Sequence, residues 1–253
     1  MVKFSPGLLH QGGKILKKQQ PKIVVLGGGT GTFTVLTGLR QFPGLELTAI
    51  TSIADNGGSS GILRDEHGML PPGDTVKCLI ALADAPPVMR QLFSHRIHGE
   101  GCFSGHTMGN LFLLGLQQVF ENDPIRGIKA AHDLLRVKGR VIPVSGQPTH
   151  LYAELEDGNV IKGEHAIDVP NGPRAPIREC RLEPSVKANP EAIEAIKRAD
   201  MVVIGPGDLY TSIIPVLLVE GISEALLARG ADQERIFVMN LTTKTGETEG
   251  YPA

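Results

Sequence analysis

Short β-branched runs that end in glycine or a polar corner, each followed by a helix-like segment, constrain this chain more than any other feature. The runs are Lys22–Leu26 (KIVVL), Leu47–Ala54, Arg140–Val144, Met201–Ile204 and Arg235–Leu241. Near-continuous apolar strands of this kind are buried on both faces, as parallel strands are. Between them Thr32–Gln41, Thr75–Ala83, Pro87–His95, Met108–Phe120, Pro124–Leu135, Pro190–Arg198 and Ser212–Arg229 read as helical. The alternation predicts an α/β fold with a doubly wound, mostly parallel sheet. Near His150 the rhythm changes: HLYAELEDGNVIKGE alternates around Asp157–Gly158, which predicts a type I′ hairpin, and Ile177–Leu182 is a further extended segment. Residues 148–184 are therefore expected to be a small β-hairpin insertion, too short for its own core, within one domain spanning 21–253.

Composition narrows the function. A net charge of −2, 4% aromatic residues and no Trp give no basic footprint or stacking surface for nucleic acid. No apolar stretch reaches the ~18 residues of a membrane helix, so no membrane insertion is expected of this chain. Cys78, Cys102 and Cys180 are widely spaced and odd in number, which suits a reducing cytoplasm and forms no paired zinc pattern. Cys102 with His106 is too sparse a set to predict a metal. Residues 1–20, basic at Lys14, Lys17 and Lys18, are expected to form a solvated, disordered arm.

Three glycine-built corners carry the candidate site. GGGTGTF (Gly27–Phe33) lies between a strand and a helix, where backbone N–H groups of Gly28, Gly29, Thr30 and Gly31 can face a phosphate. It lacks the full dinucleotide fingerprint, since Thr32 or Thr34 falls where Gly or Ala belongs, and no Walker Gly-Lys-Ser/Thr follows. GPGDLYTS (Gly205–Ser212) repeats the arrangement, offering Gly207, Tyr210, Thr211 and Ser212. ADNGGSSGILRDEHGMLPPGD (Ala54–Asp74) reads as a long polar loop at a strand end, with Asp55 and Asn56 suited to ribose or sugar hydroxyls. Ser59 and Ser60 add hydroxyls, and Arg64 a fork for phosphate. In GHTMGN, His106 and Asn110 stand at a helix start that Thr107 would cap, within reach of a ligand or a proton transfer. Two such corners in distant βα units predict one crevice where the strand order reverses.

VVLGGGTGTFTVLTGLR, IADNGGSSGILRDEHGMLPPGD, SGHTMGNL, ADMVVIGPGDLYTSIIPVLLVEGI and NLTTKTGETEGY together resemble the bacterial gluconeogenesis factor (YvcK-like) family. That family belongs to a CofD-like superfamily shared with the 2-phospho-L-lactate transferases. The resemblance runs from Lys22 to the end in motif order. It implies a Rossmann-like CofD fold, a cytoplasmic location, binding of UDP-sugars such as UDP-N-acetylglucosamine, and a role in cell shape on gluconeogenic carbon sources. The paired glycines and serines of GGSSG, with LPPGD and GHTMGN, resemble this branch rather than the transferases. Asn56 stands where some relatives carry a second Asp, and Val76 and Lys77 depart from the commoner GDIRNCL. Relatives continue beyond the position of Ala253, so part of the family's C-terminal region is expected to be missing.

The leading expectation is a non-catalytic nucleotide-sugar-binding regulator that requires no cofactor, with Asn56–Asp74 as a mobile loop that alters recognition of regulatory protein partners. A homo-oligomer is expected. The alternative is a phosphoryl or phospholactyl transferase with Mg²⁺ on Asp55 and Asp74 and His106 assisting proton transfer. A nicotinamide-dependent oxidoreductase is a third reading, weakened by the broken fingerprint.

Overall fold

The computed structural model describes residues 20–250 apart from residues 229, 231 and 232. The expectation for the basic arm falls outside these, Gln20 excepted. In chain order the strands are β1 (Lys22–Gly27), β2 (Glu46–Thr51), β3 (Arg140–Pro143), β4 (His150–Leu155), β5 (Val160–Lys162), β6 (Ile177–Glu183), β7 (Met201–Ile204) and β8 (Glu234–Phe237). Five of them form an all-parallel sheet ordered β3-β2-β1-β7-β8. The other three form an antiparallel sheet ordered β5-β4-β6. The chain builds outward from β1 to β3, then returns to lay β7 against the free side of β1. The switch point of the sheet is therefore between β1 and β7. Leu26 pairs with both Ile50 and Ile204, so β1, β2 and β7 end level and release their corners at one edge.

Successive residues of β1 face opposite layers. Ile23 and Val25 pack with Leu36 of α1 (Gly29–Leu39) and with Leu79 and Leu82 of α3 (Gly73–Leu82). Val24 and Leu26 pack on the other face with Ile196 of α8 (Pro190–Arg198) and Ile222 of α10 (Ile222–Leu227). Leu151, Ala153 and Leu155 of β4 belong to that second core, so the small sheet shares the main core and has none of its own. The remaining helices are α2 (Gly58–His67), α4 (Pro87–Ser94), α5 (Met108–Val119), α6 (Pro124–Leu135), α7 (Glu164–Asp168) and α9 (Ile214–Leu217), the last preceded by a π-helical turn at Leu209–Ile213.

Three local expectations are corrected. Helix α1 begins at Gly29 rather than Thr32, so most of the first glycine corner is its opening turn. The long loop is not a loop: Gly58–His67 is helical and ends on Gly68 in the left-handed region (φ 65°), whose N–H bonds Arg64 O at 2.9 Å. A mobile Asn56–Asp74 segment does not fit a helix whose Ser59, Ser60, Gly61, Leu63 and Arg64 are buried. The β4–β5 hairpin is not type I′, because Gly158 (φ 83°) has positive φ and Asp157 does not. Gly158 N–H bonds Leu155 O at 3.0 Å and Leu155 N–H bonds Asn159 O at 2.9 Å, a type I turn closed by a glycine bulge.

Candidate functional site

The three corners meet on one cavity of about 500 Å³ at the carboxyl edge of the parallel sheet. In chain order the first contributes Gly28 to Gly31, the second Asp55 and Gly57 with Ser52 just before it, and the third Pro206, Gly207, Asp208, Thr211 and Ser212. Contact between the first and third depends on glycine. A Cβ on Gly31 would overlap the Pro206 carbonyl, 2.8 Å from its carbon, so only a glycine lets α1 approach the turn after β7. Gly28 is the extended residue before α1 (φ −134°, ψ 176°), and a Cβ there would press on the Asp74 carboxylate.

Helix α3 and the insertion supply the remaining walls. Asp74 and Lys77 come from α3, Glu164, His165 and Asp168 from α7, and Asn240 follows β8. Asn56 Oδ1 accepts the His165 N–H at 2.8 Å, which ties the second corner to α7. Asp55 Oδ1 accepts the Gly57 N–H at 2.8 Å, fixing the turn before α2. The Asp74 carboxylate stands beside the backbone of Gly29, whose N–H helps hold its pKa down, and lies 3.3 Å from Lys77 Nζ. A carboxylate thus stands at the start of α1, where the helix dipole favours negative charge.

The candidate residues divide. Gly28, Gly29, Thr30, Gly31, Asp55, Asp74, Gly207 and Thr211 line the cavity, whereas Asn56, Ser59, Ser60, Arg64, His106, Asn110 and Tyr210 do not. Ser59 Oγ is 3.0 Å from His106 Nδ1 and accepts from Asn110 Nδ2 at 3.0 Å, all three side chains buried. Ser59 thus joins His106 and Asn110 in one buried polar network, the imidazole tautomer setting which of Ser59 and His106 donates. Thr107 caps α5 as expected, its hydroxyl accepting the Asn110 N–H at 3.3 Å. Tyr210 is buried, and its N–H bonds Glu247 Oε2 at 3.3 Å.

Sequence reasoning assigned no role to Glu164, Asp168, Lys244 or Glu247. Lys244 Nζ bonds Asp168 Oδ1, Asp208 Oδ2 at 2.7 Å and Glu247 Oε1 at 3.1 Å. These three carboxylates lie close enough to hold a metal ion, but the ammonium already stands among them. A role for Lys244 and Glu247 was recoverable only from the TTKTGETEG motif. Glu164 and Asp168 sit on a five-residue helix too short to show a period.

The cavity is acidic. Asp55, Asp74, Glu164, Asp168 and Asp208 face Lys77 there. Burial and the neighbouring Asp55 raise the Asp74 pKa against the pull of Lys77. Burial, then Asp55, Asp168 and Asp74, push Glu164 up from 4.5 to about 8. A folded pKa above the unfolded one means a stability contribution complete below 4.5 and lost as pH rises through about 8. Glu164→Gln should therefore gain stability over the parent between pH 5 and pH 9, by at least the ~1.4 kcal/mol of one pKa unit. Urea unfolding at both pH values measures it, and parallel pH profiles for the two proteins would refute the assignment.

Comparison with known proteins places the chain. The family model described as 2-phospho-L-lactate transferase CofD matches residues 23–253. A gluconeogenesis factor of Halalkalibacterium halodurans is 42% identical over 238 residues, which cover 93% of this chain and 71% of the relative. Gluconeogenesis factors of Listeria innocua and Bacillus subtilis are 43% and 40% identical, covering 93% of this chain and 71% and 72% of theirs. A crystal structure of a Bacillus halodurans protein superposes with a TM-score of 0.86 at 42% identity, over 92% of this chain and 73% of that one.

Proposed function

The chain belongs to the CofD family, with gluconeogenesis factors among its relatives, and on that premise we propose that it is a cytoplasmic regulator that binds a nucleotide sugar of the UDP-N-acetylglucosamine class. Its effect is on cell shape during growth on gluconeogenic carbon. The supporting observation is the convergence of three distant corners on one cavity at the β1/β7 switch, the usual ligand position in open α/β sheets. A volume near 500 Å³ suits a ligand of this size. Thr30, Gly31 and Gly207 offer backbone N–H groups to the diphosphate, and Asp55 accepts from ribose or sugar hydroxyls. A ligand there touches both the main sheet's corners and α7 of the insertion, so binding couples the two layers.

The acidic walls set a condition. A diphosphate beside Asp55 and Asp74 is repelled unless a cation intervenes, and Mg²⁺ characteristically binds one or two carboxylates together with substrate phosphates. Asp55 and Asp74 fit that role, since both face the cavity and the Asp74 charge is incompletely offset by Lys77. Calorimetric titration with UDP-N-acetylglucosamine should give heat that strengthens with Mg²⁺, and Asp55→Ala should remove the Mg²⁺ dependence. No heat at millimolar ligand, with or without Mg²⁺, eliminates the reading.

The same carboxylates favour a second reading, a Mg²⁺-dependent phosphoryl or phospholactyl transferase. The metal would supply charge neutralisation on the transferring group. Glu164, on the cavity wall with a pKa near 8, suits proton transfer at neutral pH better than His106, which lies outside the cavity. Turnover of a guanylylated donor with a deazaflavin acceptor, abolished in Asp55→Ala, is the outcome this reading requires.

A further inference from the structure

Arg64 is a buried cation that no carboxylate contacts directly, Asp65 and Asp55 acting on it only at a distance. The residue is 6% exposed, and its Nη1 is enclosed without an acceptor. Its Nη2 rests against the His150 ring, on Nδ1 and at 3.1 Å from Nε2. An imidazole accepts from a guanidinium only through an unprotonated nitrogen. Burial, then Arg64 and Lys162, lower the His150 pKa and favour that neutral ring. A neutral acceptor is a weak match for a guanidinium, because hydrogen bonds to an oxyanion are about twice as strong. Beside it, the exposed Lys162 reaches over the Tyr152 ring, 5.7 Å from its centroid, while Arg181 on the ring's other side is engaged by Glu183. None of Arg64, His150 and Lys162 lines the glycine-walled cavity.

We propose that Arg64, His150 and Lys162 form a second anion site, on the outer side of the small sheet, that takes the phosphate group of a small molecule. The phosphate replaces the His150 ring as acceptor for the Arg64 fork, and Lys162 supplies the second charge. His150, displaced and able to take a proton, becomes a third donor. Three donors from α2, β4 and β5 can each meet a different oxygen of a tetrahedral phosphate, a group whose geometry the Arg64 fork matches. Both supports run into the main cavity wall, since α2 follows Gly57 and Lys162 precedes Gly163–Glu164. Occupancy of this site therefore bears on the cavity from behind, whatever ligand the cavity takes.

The test is titration of the full chain with inorganic phosphate, followed by the imidazole resonances, with His150 assigned through His150→Gln. The groups around His150 are Arg64 and Asp65 on α2, Lys162 on β5, and Glu183 opposite on β6. Bound phosphate should raise the His150 pKa by about one unit or more. Lys162→Met, at an exposed position, should weaken phosphate several-fold, and Arg64→Lys should weaken it further. His150 resonances that do not move with phosphate, or that move equally in the parent and both variants, overturn the proposal.

Discussion

Gly31→Ala should cost about 1–3 kcal/mol of stability, the usual range for forcing atoms into a filled site, and should weaken ligand binding more than tenfold. The added methyl meets the Pro206 backbone carbonyl, which cannot rotate away as the end of a side chain can. Either α1 or the turn after β7 must move, and the cavity depends on their contact. On the same helix, a Cβ added to Gly38 would meet nothing within 4 Å. Gly38→Ala should therefore stabilise by up to ~1 kcal/mol through helix propensity alone. Thermal unfolding and titration of the two variants separate the effects. Equal stability and affinity in Gly31→Ala and the parent would mean that the two corners do not bear on one another.

The parts of this fold that were legible in the sequence are those whose signal is local. Strand β7 reads directly because a parallel strand buried on both faces needs an unbroken apolar run, and MVVI is one. Helix α8 reads to the residue: Pro190 opens it, Asn189 accepts the Glu191 N–H at 3.0 Å, and its apolar residues keep helical spacing. Helix α2 was illegible because its buried face is largely Ser59, Ser60, Gly61 and Arg64, which present no apolar period. What selects the helix there is close packing, since a Cβ on Gly61 would lie 2.7 Å from the Asn56 carbonyl carbon. The corners of the cavity were visible because they are made of backbone, and glycine marks backbone-built surfaces. Its walls were not, because Glu164 and Asp168 arrive from an insertion whose docking is a tertiary event. Ser59, His106 and Asn110 show the converse difficulty: polar residues among apolar ones look alike whether they face a ligand or each other.

Lys244→Met should be the most damaging single change outside the apolar core, costing on the order of 2–3 kcal/mol. Lys244 joins α7, through Asp168, to the turn after β7, through Asp208, and to Glu247, whose side chain is fully buried. Removing the ammonium leaves three carboxylates within 4.8 Å of one another with no cation between them. Burial already raises the Glu247 pKa, and Lys244 is the main influence opposing that rise. In the variant the Glu247 pKa climbs further, so the folded state binds a proton that the unfolded chain has released above its ordinary carboxyl pKa. The deficit of Lys244→Met should therefore be largest at neutral and alkaline pH and shrink as pH falls and Glu247 protonates. Lys244→Arg, which keeps the charge, should recover part of the loss. Because Asp168 and Asp208 also line the cavity, ligand affinity should fall with stability in Lys244→Met and return with it in Lys244→Arg. A pH-independent deficit, or full stability with weakened binding, would show that the ammonium does not hold these elements together.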